Sequence, residues 1–352
     1  MRFRVLMGLL ALALSLCLTA RPATAVEQVR TAWCGEHDAF LLWLAKQKGW
    51  DKEAGIDIRM HHFGSDEEIL SRQGGPQWDI AGCGIVPTLK SVRKGQFHVI
   101  GVGSDESKWN AVFTRPDSPI LKAAGTNPQH PYVHGSPDTV RGKSILCPEK
   151  PLARYLVSTW LHIIGLEEED VTIRDIPSEQ ALDMFSKGHG DAVYLEAPDT
   201  FVAYSKVGKG YLPVTIAPEC GISQPALLLA DREFADKHPE QVRAFLRVYL
   251  RAVTALYSEQ FDPVEAYIRF NKEWGNKTLT REKAVEKMSA YTVFGLGEQL
   301  SYLSPESGSF RDHLSGLLSF LGRSGELSQE DISSLSTFDF LNDSFLQGLI
   351  EE

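Results

Sequence analysis

Four short stretches of this chain bring together residue types that can hold or transform a small molecule. Cys34-Gly35-Glu36-His37 sets a thiol, a carboxylate and an imidazole side by side after an apolar run. Gly82-Cys83-Gly84 places a second thiol between two glycines, which allow a backbone to approach a ligand closely. Glu149-Lys150-Pro151-Leu152 opens a helix with no capping hydroxyl, leaving its first amides for ligand or water and Lys150 as a local cation. Glu196 and Asp199 flank Pro198 at a strand-to-helix turn. A cysteine, a histidine and a carboxylate within reach of one another would make a nucleophile and its base. The same groups without that pairing would hydrogen-bond a polar solute. Asp38 reads as the cap of the following helix, and Trp33, Trp109 and Tyr194 as ring-stacking or core residues. His61-His62 alternates across a strand, so only one ring faces either side, a weak arrangement for a metal. No metal and no cofactor is expected.

These residues act together only if secondary structure gathers them. From Val29 to Val102 the pattern is strand, helix, strand, helix, strand, helix, strand. VRTAWC (29–34) is an apolar-rich strand, FLLWLAKQKGW (40–50) carries a helical apolar face, and GIDIRMHHF (55–63) alternates. WDIAGCG (78–84) runs into a helix stopped near Gly95, and FHVIGVG (97–103) closes the unit. Strands separated by helices of this length call for an α/β fold with a mainly parallel sheet. Ligands of such sheets sit beyond the carboxyl ends of the strands, where Cys34 to His37 and Gly82 to Gly84 fall.

Residues 1–25 read as a secretory signal peptide. Arg2 and Arg4 precede the apolar LMGLLALALSLCL, and Ala23-Thr24-Ala25 supplies small residues for cleavage. The expected mature chain is soluble and exported to the periplasm. Losing three arginines takes its formal charge from −10 to −13, and without basic stripes it is a poor binder of nucleic acid. Four cysteines remain, Cys34, Cys83, Cys147 and Cys220. In an oxidising compartment these read as disulfides or buried inert thiols, with three pairings open.

A second alternating unit begins after a glycine- and proline-rich stretch at 130–142. Its strands are KSILCP (143–148), VTIRDI (171–176), DAVYLEAP (191–198) and YLPVTI (211–216), with AVFTR (111–115) ahead of them. QPALLLA (224–230) is a strongly apolar strand. Beyond it only helices follow: 238–259, 262–273, 280–294, 307–323 and 328–334. With the second unit inserted into the first, the connectors near 104–112 and 217–223 become strands crossing between two lobes, with a closable cleft between them.

FLLWLAKQKGWDKEAGIDIRMHHF, WDIAGCGIVPTLKSVRKGQFHVIGV, the long run from VRGKSILCPEK to GDAVYLEAPDT, and QPALLLADREFADKHPEQVRAFLRVYLRAV occur in an order and spacing that resemble the nitrate/sulfonate/taurine class of solute-binding proteins serving ATP-driven (ABC) importers. The resemblance spans roughly 29–275. It implies a type II periplasmic binding-protein fold, with a signal peptide over 1–25, lobe 1 from 26–112 and 223–352, and lobe 2 from 113–222. It also implies a small-molecule ligand, an inner-membrane ABC permease as partner, and a monomer. The candidate ligand residues are then Cys34, Gly35, Glu36, His37, Cys83, Gly84, Lys150, Pro151, Glu196 and Asp199. Two positions depart from the family, because neither 149–152 nor 82–85 carries the small hydroxyl residues common in anion binders. The cleft-facing loops instead carry Glu36, Asp38, Glu149, Glu196 and Asp199, which repel a plain anion. A ligand with an amine or a pyrimidine-like ring fits better than sulfonate or nitrate. Two alternatives remain: an enzyme on the same fold using Cys34, His37 and Glu36, against which the export signal speaks, and a ligand sensor presented to a membrane receptor.

Overall fold

The computed structural model describes residues 27–350 apart from Glu36 and the segments 72–76, 93–94, 206–209, 259–260 and 305–307. The signal-peptide stretch 1–25 and Glu36 therefore lie outside the described residues. Ten strands form, β1 (Glu27–Trp33), β2 (Ile56–His62), β3 (Ile80–Gly84), β4 (Phe97–Asp105), β5 (Ala111–Thr114), β6 (Ser144–Pro148), β7 (Thr172–Ile176), β8 (Ala192–Leu195), β9 (Leu212–Ile216) and β10 (Pro225–Asp231). They make two five-stranded sheets, in the orders β2-β1-β3-β10-β4 and β7-β6-β8-β5-β9. β1 runs parallel to β2 and β3, and β6 parallel to β7 and β8. One strand in each sheet opposes its neighbours: β10 against β3 and β4, and β5 against β8 and β9. Both are the first strand after the chain passes from one sheet to the other. Leu227, Leu228 and Leu229 of β10 are all fully buried, as a central strand covered on both faces requires.

The helices that matter to the site are α1 (His37–Gln47), α2 (Asp66–Ser71), α3 (Ile85–Val92), α4 (Pro151–Ile163) and α5 (Asp199–Ser205). After β10 the chain is helical, led by α6 (Pro239–Ala255), and this part packs with the first sheet into one core. The second sheet has its own core around Trp160, Ile145 and Tyr194. No described helix is long and apolar enough to cross a membrane.

The two crossings are not the strands expected from the sequence. Each is a 3₁₀ turn, Ser107–Trp109 in the first and Ala217–Cys220 in the second. In the first, Asp105 takes up the Ser107 amide at 2.8 Å and bends the chain out of the sheet. In the second, Pro218 offers no amide to a ladder. Asp105 also joins the crossings. Its other carboxylate oxygen accepts the Ser223 hydroxyl at 2.5 Å and the Gln224 amide at 2.9 Å. Asn110 adds a second tie, its side-chain amide donating to Gln224 Oε1 at 2.6 Å, and its carbonyl accepts the Ala217 amide at 2.9 Å.

The helix expected over 280–294 also stops early, as α7 (Arg281–Ser289). The run Tyr291-Thr292-Val293-Phe294 is aromatic and β-branched, suited to extended backbone, and Thr292 exchanges backbone hydrogen bonds with Asp105 at 2.7 and 2.8 Å.

Asp105 is 7% exposed and gathers donors from both crossings. Asp105→Ala leaves those donors buried without an acceptor and is expected to cost about 3 kcal/mol. Urea denaturation measures this, and a loss under about 0.5 kcal/mol, the size of an ordinary surface substitution, would remove Asp105 from its structural role.

Candidate functional site: a cleft between the two sheets

At the carboxyl end of β1, Trp33 turns inward and stacks on Phe245 of α6, with ring centroids 6.4 Å apart. That position depends on Gly82 of β3, where a Cβ would fall 2.4 Å from the Trp33 ring. Gly103 does the same for Asp38, since a Cβ there would meet the Asp38 carboxyl carbon at 3.0 Å. The two glycines seat a large ring and a carboxylate at the floor of a cavity of about 340 Å³. Trp33, Cys34, Asp38 and Ala39 form one wall, and residues 64–66 with 82–85 a second. Ser104 and Glu106 from the first crossing and residues 224–226 from the second form the back. Leu152 of α4 and Tyr291 close the remaining sides.

Asp38 is not a helix cap. It is the second residue of α1, 3% exposed, and its Oδ1 accepts the Ser104 hydroxyl at 2.7 Å. Asp66, at the start of α2, accepts the Gly84 amide on Oδ2 at 2.8 Å and the Cys34 thiol on Oδ1 at 3.5 Å. Gly84 immediately precedes α3, so this carboxylate occupies the place where a helix N-terminus would receive an anionic ligand. With Glu106 the described lining carries three carboxylates and no lysine, arginine or histidine.

Of the residues expected at the site, Cys34, Cys83 and Gly84 line the cavity. Gly35 is exposed beside it, and His37 opens α1. Pro151 is the first residue of α4, where it delivers Leu152 to the cavity without lining it. Lys150 does not stand as an uncommitted cation, because its ammonium is paired with the Glu196 carboxylate. Asp199 begins α5, away from the cavity, and burial followed by repulsion from Glu196 raises its carboxyl pKa. Trp33 and Tyr194 are buried core rings, and Trp109 sits in the first crossing. Sequence reasoning missed Asp66, Ser104, Glu106, Leu152, Gln224 and Tyr291 as lining residues. Asp66 was legible as an acid opening a helix just beyond a strand end. Gln224 and Tyr291 arrive from distant parts of the chain with no local motif.

The four described cysteines, Cys34, Cys83, Cys147 and Cys220, are free thiols. Cys34 and Cys83 both line the cavity. Burial, then the nearby charge of Asp66, holds the Cys83 thiol well above its ordinary range. Burial likewise pushes Cys147 and Cys220 up to about 12. Among the described residues no cluster of three or more side chains could hold a metal.

Residues 23–268 match the NMT1-like family. The chain belongs to that family. A Brachyspira hyodysenteriae protein named as an ABC transporter periplasmic binding protein is 26% identical over 211 residues, covering 59% of each chain. A Bacillus subtilis protein named as aliphatic sulfonates-binding is 24% identical over 217 residues, covering 60% of each. The matched region thus spans about three fifths of these curated relatives. Among solved structures, the periplasmic aliphatic sulphonate binding protein SsuA of Escherichia coli superposes with a TM-score of 0.65 at 14% identity, covering 88% of this chain and 91% of that one. The family member shares with it the periplasmic binding-protein fold, two α/β lobes joined by two crossings.

The raised thiol pKa values set a direction with pH. An unfolded chain ionises its thiols near pH 9 while the folded one keeps them neutral, so their contribution is complete below pH 9 and lost as pH climbs toward 12. Urea midpoints should fall across that range, and less steeply in a Cys147→Ala, Cys220→Ala double variant. Identical slopes would exclude these thiols as the cause. A thiol reagent at pH 8 should label half-buried Cys34 in the native protein and the three buried thiols only after unfolding.

Proposed function

We propose that this protein is an exported solute-binding component of an ABC importer, closing two lobes on a small organic ligand that carries an amine or an amine-like donor. In this reading lobe 1 comprises 26–112 and 223–352 and lobe 2 comprises 113–222. The mature chain works as a periplasmic monomer that hands its ligand to an inner-membrane permease and binds no nucleic acid. Family membership and the names of the relatives support the transport role.

The charge of the cavity carries the ligand class. Asp38, Asp66 and Glu106 all line it. The amide ahead of α3 already holds Asp66, and Lys150 at the start of α4 already holds Glu196. An incoming sulfonate or nitrate would meet these carboxylates, with repulsion of about 1 kcal/mol or more per close pair even in water. A cationic or donor-rich group inverts that sign, and the Trp33 ring adds apolar contact. Binding follows from burial and satisfied hydrogen bonds, and no covalent step is required of Cys34 or Cys83.

A thermal-shift panel tests this directly. Choline, putrescine and a 4-aminopyrimidine sample the amine class, while taurine, an alkanesulfonate and nitrate sample the anions named for relatives. A bound amine at 100 times its dissociation constant should add about 2.7 kcal/mol of stability, and Asp66→Asn should weaken it about ten-fold. Stabilisation by an anion alone would overturn the ligand class, and turnover of a hit by the isolated protein would overturn the binding-only role.

A further inference from the structure

The cavity has a wall that neither sheet supplies. Tyr291 reaches it from the stretch after α7, nearly sixty residues beyond the last strand. The flanking residues are fixed at four places, three on the crossings and one on β4. On one side, the Trp109 indole donates to the Ser289 carbonyl at 2.7 Å, and Thr292 exchanges backbone hydrogen bonds with Asp105 at 2.7 and 2.8 Å. On the other, buried Gln299 accepts the Val102 amide on its side-chain oxygen at 3.0 Å, and Tyr302 meets the Ser223 hydroxyl at 2.7 Å. Ser223 in turn donates to Asp105.

The same region touches the second lobe. Thr200 of α5 donates its hydroxyl to the Trp109 carbonyl at 2.7 Å, and Phe201 meets the Trp109 ring edge-on at 4.7 Å. Trp109 is thus gripped by the second lobe on one side and by Ser289 on the other. Farther along, Tyr155 of α4 packs on Phe320 of α8 (Ser309–Arg323) with centroids 5.1 Å apart. Gly316 makes room for it, since a Cβ there would fall 2.6 Å from the Tyr155 hydroxyl.

We propose that residues 289–302 form a strap over the hinge, placing Tyr291 as a ligand-contacting, specificity-determining residue and tying that contact to the opening angle of the two lobes. This rests on the reading of the cavity as the ligand site. When the lobes move, the crossings move, and the strap carries Tyr291 with them. An aromatic face held in this way beside three carboxylates suits a cationic or ring-bearing ligand, through stacking and attraction between cation and ring.

The test uses the full mature chain. Small-angle scattering of the ligand-free protein should show a larger radius of gyration for Tyr302→Phe, and the same for Ser223→Ala, which cuts the link from its other end. Titration with the 4-aminopyrimidine should show Tyr291→Ala binding about ten-fold or more weakly, with Tyr291→Phe near wild type because the ring is kept. Scattering curves of both hinge variants that overlay wild type, or undiminished affinity in Tyr291→Ala, would overturn the strap. Asp66→Asn separates the two readings. If it loses affinity while Tyr291→Ala does not, the cavity stands and the strap falls. If neither loses affinity, the cavity is not the site. Should the wild-type chain ignore the 4-aminopyrimidine, the same titration is run with choline and putrescine, and if no amine binds, the ligand class fails and scattering alone decides the strap.

Discussion

The carboxylate of Asp105 is the constraint around which both lobes are arranged. It lies where β4 leaves the first sheet, and it holds Ser107 ahead of it together with Ser223 and Gln224 on the returning crossing. Two chain passages between domains would ordinarily flex independently. Here they share one buried acceptor, so that displacing either crossing strains the hydrogen bonds of the other. Gln224 links that pivot to the cavity, because its backbone is held by Asp105 and its side chain belongs to the lining.

The cavity follows from the same economy of local rules. Gly82 and Gly103 are not there for turns, since both lie within strands. They are there for width, one yielding space to an indole and the other to a carboxylate. At the helix beginnings here, Asp66 accepts the amide ahead of α3, and Glu196 pairs with the Lys150 ammonium ahead of α4. A fold shared at 14% identity gives the scaffold alone, because the scaffold dictates where the helix ends point and the side chains around them dictate what they meet.

Much of the scaffold was legible from residue types. The alternation over 29–102 and again over 143–216, and the apolar QPALLLA strand, are periodic and of ordinary length, so burial alone predicts them. The part of the cavity legible in the sequence lies at strand ends, where Cys34, Cys83 and Gly84 fall. Lys150 and Glu196 each look available when taken singly, and only the fold shows that their side chains pair with one another. The crossings were misjudged because a carboxylate two residues upstream of Ser107 reshaped the backbone, a side-chain effect invisible to periodicity. Tyr291 had no signal, since its importance comes from a partner strand nearly two hundred residues earlier in the chain.

The position of β10 has a consequence for how the molecule is born. It lies between β3 and β4, in the interior of the first sheet, yet it is made after the entire second sheet. The second sheet is contiguous from Ala111 to Ile216, so it can consolidate while the first still has a gap at its centre. Only when Leu227 to Leu229 slot in does the earlier half gain a continuous apolar layer. The lobe that begins the chain is thus completed only after the second sheet has been made, through contacts over long sequence separations of the kind that form slowly.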